Sequence, residues 1–201
     1  MNETNAEVFP FMSILLTGFE PFNGAAVNPS WEAVLRVPMT VAGHEVHRMR
    51  LPVVYQQAAA EMLVEISRLR PELVICCGVA AGRRGVTPEL VALNYRWAAI
   101  ADNAGQLYSG TPILPHGENA LMTDLPVHAM VDAMRAKEIP AWVSLSAGAY
   151  VCNDLYYHLL SQREELGYQG LFIHVPDTAD LDADRAAAAL TACIETALKT
   201  E

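Results

Sequence analysis

The sequence predicts an α/β protein, a single-domain three-layer α/β/α sandwich around a mixed, mostly parallel central sheet. Three observations carry that prediction. Short apolar runs bounded by glycine or proline, such as residues 14–17, 73–77 and 171–175, read as strands buried on both faces. Between them lie segments with apolar side chains at helical spacing, clearest in Ala59, Met62, Leu63, Ile66 and Leu69. The two kinds of segment alternate along the chain, which is the pattern of helices packed on both faces of a parallel sheet.

Taken in order, residues 14–17 form the first strand, closed by Gly18, and a loop then runs to Asn28-Pro29-Ser30, where Ser30 is the expected helix N-cap. Residues 46–51 make a strand. The helix of residues 55–70 stops at Pro71, and the strand 73–77 follows at once. Further strands are expected at 90–95, 141–145 and 171–175, and helices at 127–137, 152–166 and 184–198. Residues 102–126 are long for a structureless connection and are expected to be functional or an assembly surface. No repeat, low-complexity tract or linker divides the chain, so residues 12–201 read as one domain behind a flexible N-terminal extension, residues 1–11.

Composition then removes several function classes. Lys and Arg number 13 against 23 Asp and Glu, a formal charge of −10, and no basic run exceeds Arg83-Arg84, so nucleic acid and anionic membranes are poor partners. A chain of 201 residues that is 52% hydrophobic can bury a core without disulfides or metal. No stretch reaches the roughly 18 apolar residues of a membrane span. The polar, acidic N-terminus lacks the basic-then-apolar order of a secretory signal, which points to the cytoplasm. There Cys76, Cys77, Cys152 and Cys193 are each either core filler or chemistry, because their spacing is too irregular for a disulfide framework. Phosphate-loop, dinucleotide and zincin signatures are absent. His44 and His47, three apart on a strand, face opposite ways and do not make a shared metal site.

Chemistry concentrates in the loops after strands. Residues 141–145 lead into a small-residue turn around Gly148, and Cys152 stands where a helix begins, a position at which the macrodipole and free backbone N–H groups favour thiolate and can hold an oxyanion. The plain alternative is a small buried core residue. A nucleophilic thiol needs a base. His158, six residues on and about 240° around the helix, points away and reads as a surface residue. His174, near the end of an apolar strand, comes to the same sheet edge and is the better candidate, with a backbone-bonded core histidine as its alternative. Glu89 opens the strand expected at 90–95 and Asp102 follows the run 98–101, and either can orient a histidine or be a solvated carboxylate. Phe19 and Phe22 sit in a post-strand loop, where two large rings must pack on the core or line an apolar pocket.

These segments together resemble the pyroglutamyl peptidase I (pyrrolidone carboxyl peptidase) family of cytoplasmic cysteine peptidases. The likeness runs from about residue 14 to residue 176. Its motifs are T-G-F-E-P-F-x-G at 17–24, N-P-S-W-E-A-V at 28–34, G-R-x-x-V-T-P-E at 82–89, D-N-x-G at 102–105, L-P-V at 125–127, I-P-A-x-V-S-x-S-A-G-x-x-V-C-N at 139–153 and F-I-H-V-P at 172–176. The resemblance implies removal of an N-terminal 5-oxoproline from peptides, without metal or cofactor. It implies Cys152 as nucleophile, His174 as base, Glu89 as the third member, and Phe19 and Phe22 on either side of the lactam ring. It also implies an α/β/α sandwich that assembles as a homo-oligomer, often a tetramer.

The residues fit that chemistry independently. A pyroglutamyl end has no free amine, so its site must be apolar with a few backbone groups for the lactam, and Phe19, Phe22, Val79, Tyr150 and Val151 supply apolar walls. The chain departs from the family pattern at Ala99 (usually arginine), Ala101 (commonly proline), the 118–122 segment, Tyr150 (usually phenylalanine) and residues 175–178. These departures surround the presumed site and leave its triad intact. Two other readings remain at this stage, a cysteine amidase acting on another small acyl or lactam substrate and a catalytically silent binding protein.

Overall fold

Every side chain of the first strand, β1 (Ser13–Phe19), is buried, because the strand runs between two neighbours with helices on both faces. The structure, a computed structural model, describes residues 13–199, so the expected extension of residues 1–11 lies outside the described residues. After β1 come α1 (Pro29–Arg36), β2 (Thr40–Val41), β3 (His44–Leu51), α2 (Gln57–Leu69) and β4 (Leu73–Val79). The middle of the chain holds β5 (Thr87–Glu89), β6 (Val91–Leu93), β7 (Arg96–Trp97), β8 (Ser109–Thr111) and β9 (Ala120–Met122). It ends with α3 (Val127–Ala136), α4 (Val151–Ser161), α5 (Arg163–Leu166), β10 (Gln169–Val175) and α6 (Ala183–Ala197).

The main sheet has the order β2-β3-β1-β4-β10-β5. Its four central strands are parallel, and β2 and β5 close the two edges antiparallel. Alternation along the strands sends Ile14, Leu16, Ile75, Cys77 and Ile173 to one face, under α1, α3 and α6. Leu15, Val74, Cys76 and Phe172 go to the other, under α2 and α4. Cys76 and Cys77 thus fill opposite halves of the core. From β1 the chain moves to β3 on one side and then to β4 on the other. Such a reversal opens a crevice beyond the carboxyl ends of the two strands, where open α/β sheets bind ligands.

Four details differ from the sequence expectation. Asn28, and not Ser30, caps α1: its Oδ1 accepts from Ser30 N at 3.0 Å and from Ser30 Oγ at 2.8 Å, and Ser30 Oγ in turn accepts from Phe19 N at 3.1 Å. Glu89 ends the short edge strand β5 where it was expected to open a strand, and β6 leaves the sheet to pair with β9. Residues 141–145 form no strand and touch β5 and its approach only through the bridges Val86–Ala141 and Glu89–Ser144. Gly85 permits that approach, since a Cβ there would fall 2.5 Å from the Pro140 carbonyl oxygen. Residues 102–126 are not structureless: β8 and β9 fold back onto β7 and β6 as two short antiparallel arms. No helix among the described residues is long and apolar enough to cross a membrane.

Candidate active site

Cys152 is the second residue of α4, directly after the extended N-cap Tyr150 and Val151. Its sulfur lies over Gly78 of β4, where an added Cβ would come within 3.0 Å of Cys152 Sγ and 2.9 Å of Phe172 Cζ. Only a residue without a side chain leaves room there. Gly78 pairs in register with His174 of β10, so the parallel ladder brings the thiol and the imidazole to one place. The next two residues lock the helix start. Asn153 accepts from Leu93 N at 2.9 Å and donates to the Leu93 and Tyr95 carbonyls at 2.8 and 3.0 Å. Asp154 accepts from Arg96 Nε at 2.5 Å and from Gln56 N at 2.8 Å.

His174 and Glu89 meet across the β10–β5 edge, with Nδ1 2.7 Å from Glu89 Oε1. With Nδ1–H donating to the carboxylate, Nε2 is the ring's acceptor. Burial pulls the His174 pKa below its ordinary 6.5, and the Glu89 hydrogen bond and charge only partly oppose it, so the ring is a neutral base near pH 7. Burial alone would raise Glu89. The hydrogen bond and charge of His174, followed by the Ser144 hydroxyl and Arg83, reverse the sign and hold its carboxyl below the usual value. Glu89 is fully buried, so this charge depends on its partners.

For Cys152 burial opposes the helix-start effect. Burial pushes the thiol up to about 12, helped by the Glu89 charge, and the backbone hydrogen bond at the helix start together with Arg83 offsets this only in part. A sulfur enclosed by apolar walls gains less from the dipole than it loses in hydration.

A cavity of about 50 Å³ opens beside the sulfur, lined by Phe19, Phe22, Asn28, Val53, Val79, Tyr150, Val151 and Cys152. All five walls expected from the sequence are there. Phe19 serves both purposes weighed for it, packing on Phe172 at 6.5 Å while closing the cavity, and Phe22 stands 6.4 Å from Tyr150. Asn28 and Val53 were not anticipated. The Asn-Pro-Ser run was a usable signal for Asn28, because proline favours the first helical position and makes the preceding residue the cap. Val53 carried none. Glu20 ties the walls together, accepting from Val53 N at 3.2 Å and Asn103 Nδ2 at 2.9 Å while its carbonyl accepts from Asn28 Nδ2 at 2.9 Å.

The other candidates lie elsewhere. Asp102 accepts from Tyr55 N, Ala104 N and Gln106 N at 3.0, 2.9 and 2.8 Å; it builds a turn and does not orient the histidine. His158 is partly buried near Asp154 and Arg96, not the surface residue expected, and burial lowers its pKa. His44 and His47 contact Glu72 and Glu45 separately. Among the described residues no three His, Cys, Asp or Glu gather to hold a metal ion. A larger groove of about 400 Å³ at the amino ends of β4 and β10 is lined by none of Cys152, His174, Glu89 or Asp102.

A thiol and a histidine paired with a buried carboxylate, beside an apolar cavity, can perform acyl transfer through a thioester. Fold and site together define a cysteine hydrolase. Residues 12–200 match the sequence model of the family described as pyroglutamyl peptidase. The chain is 40% identical over 176 residues to the pyrrolidone-carboxylate peptidase of Enterococcus faecalis, covering 87% of this chain and 83% of that one. It is 46% identical over 165 residues to that of Klebsiella pneumoniae, with 81% and 77% covered. Its fold superposes on the crystal structure of Bacillus amyloliquefaciens pyroglutamyl peptidase I with a TM-score of 0.89 at 35% identity, over 94% of this chain and 97% of that one. For the pyrrolidone carboxyl peptidase of Pyrococcus furiosus the TM-score is 0.87 at 31% identity, over 94% and 99%. The chain belongs to the pyroglutamyl peptidase family of cysteine peptidases.

Proposed function

We propose that this protein removes an N-terminal pyroglutamyl residue from peptides, with Cys152 as nucleophile, His174 as general base and acid, and Glu89 as the group that orients His174. One observation supports the reading above others: the 2.7 Å His174–Glu89 contact stands beside an apolar cavity whose wall includes the Cys152 sulfur. The lactam enters between Phe19, Phe22, Val79, Tyr150 and Val151. His174 Nε2 takes the thiol proton as Sγ attacks the pyroglutamyl carbonyl, and backbone N–H groups at the start of α4 receive the oxyanion. The C–N bond breaks, His174 protonates the leaving amine, and water then hydrolyses the thioester, releasing pyroglutamate and restoring the thiol. By analogy with other sites the base contributes about 10²–10⁴ in rate, and one oxyanion donor about 3–4 kcal/mol.

On the family resemblance the protein works in the cytoplasm, needs no cofactor and assembles as a homo-oligomer, a tetramer. Exposed Tyr95, Trp97, Ile100 and Leu107 on and around the β7–β8 arm offer apolar surface for such an assembly. The test of function is hydrolysis of a chromogenic pyroglutamyl anilide by wild type and Cys152→Ala side by side, with thiol reductant. Turnover in the wild type that vanishes in the variant is the expected result. No turnover by folded wild type, or retained turnover in the variant, overturns the reading.

A further inference from the structure

We propose that Arg83 is a positioning residue of this site: it shares with His174 the single Glu89 oxygen that orients the ring, and so keeps that carboxylate charged and aimed while the histidine changes its own charge. The inference rests on the reading of Cys152, His174 and Glu89 given above. Arg83 Nη1 lies 2.6 Å from Glu89 Oε1, the same atom that His174 Nδ1 meets at 2.7 Å. The guanidinium is itself fixed, with Nη1 2.5 Å from Thr87 Oγ1 and Nη2 3.3 Å from the Ser146 carbonyl oxygen. Its side chain keeps 27% exposure while Glu89 has none, so it brings a solvated positive charge to the edge of a dry pair.

The physical need follows from the cycle. While His174 is neutral, a fully buried Glu89 with only that ring as partner would be an uncompensated charge. Two escapes exist, and both damage the chemistry. A proton retained on His174 removes the base, and a proton taken by Glu89 removes the acceptor that sets the tautomer. A guanidinium stays protonated throughout and closes both.

The groups facing the His174–Glu89 pair are Arg83 from the β4–β5 connection, Thr87 from β5, Cys152 and Tyr156 from α4 and Ser144 from the 141–145 segment. Of these Arg83 is the permanent cation. Its charge lowers both the His174 and the Cys152 pKa. Removing it moves both up, so the whole profile shifts to higher pH.

The test compares wild type, Arg83→Met and Arg83→Lys by two readouts, the pH profile of kcat/KM on the pyroglutamyl anilide and the pH dependence of Cys152 alkylation by iodoacetamide followed on its peptide. Arg83→Met should lose about tenfold or more in kcat, part of what a general base contributes, with KM little changed. Its acid limb and alkylation midpoint should both move to higher pH, and Arg83→Lys should restore the limb. A lower rate with an unshifted limb and midpoint means that Arg83 only braces the Ser146 turn, and overturns the proposal. So does unchanged activity. If wild type fails to cleave the anilide, the functional reading fails, yet the alkylation midpoint still decides the role of Arg83. Should Arg83→Met not fold, Arg83→Gln, which keeps a donor toward Glu89 without the charge, carries the same expectation.

Discussion

Two buried carboxylates near the start of α4, Glu89 and Asp154, each pair with an arginine and have a histidine close by, yet their surroundings differ. In one, Arg83 and His174 share Glu89 Oε1, and His174 pairs in register with Gly78, over which the Cys152 sulfur lies. In the other, Asp154 gives one oxygen to Arg96 and the other to the Gln56 backbone N–H, while His158 lies nearby. Both carboxylates are almost fully buried. The difference lies in the partners. Asp154 spends both oxygens on groups that never change protonation state, which makes a rivet. Glu89 gives one oxygen to a ring that, in the proposed mechanism, changes its charge. Residue type alone does not separate structure from catalysis; the titration behaviour of the partner does.

The comparison breaks most sharply at Glu89. Glu89→Gln should cost about 10²–10⁴ in kcat/KM, because an amide can present its NH₂ to Nδ1 and favour the wrong tautomer, while melting shifts little. Equal losses from Asp102→Asn would return the orienting role to Asp102. Asp154→Ala should do the reverse, costing about 3–5 kcal/mol of stability by leaving Arg96 buried and unpaired. Urea denaturation reads that loss, and a variant as stable as wild type would show that the second pair is no rivet. The smallest effect is expected at the cavity rim. Tyr150→Phe removes the 3.0 Å hydrogen bond from Oη to the Ala101 carbonyl, worth about 0.5–1.5 kcal/mol. It should appear as a modest rise in KM for the pyroglutamyl anilide, with kcat preserved.

Much of this was legible beforehand, for reasons that differ by residue. Strands buried on both faces announce themselves as apolar runs, so β1, β4 and β10 were placed within two residues of their observed ends. Cys152 and His174 were legible because each sits where such a run or its following turn ends. The 141–145 segment misled because its apolar character reflects burial beside β5, and which neighbour it pairs with is a tertiary fact. The burial of the thiol was hidden for a related reason. Helix position is local and visible in sequence, whereas desolvation comes from Phe19, Phe22 and Val79, which arrive from distant segments. Arg83 was visible in the Arg83-Arg84 pair and the 82–89 motif, but nothing local shows that its guanidinium folds back on Glu89 six positions later.

The three consecutive residues at the start of α4 also have a mechanical meaning. Successive side chains on a helix point about 100° apart, so Cys152, Asn153 and Asp154 aim at the cavity, the β6–β7 strap and Arg96. They form a tripod. Turning the helix about its axis would tear the Asn153 amide from the strap, and sliding it would pull Asp154 from its arginine. What remains to the sulfur is rotation about its own Cα–Cβ bond, the single degree of freedom that the proposed mechanism would use to swing from proton donor to acyl acceptor.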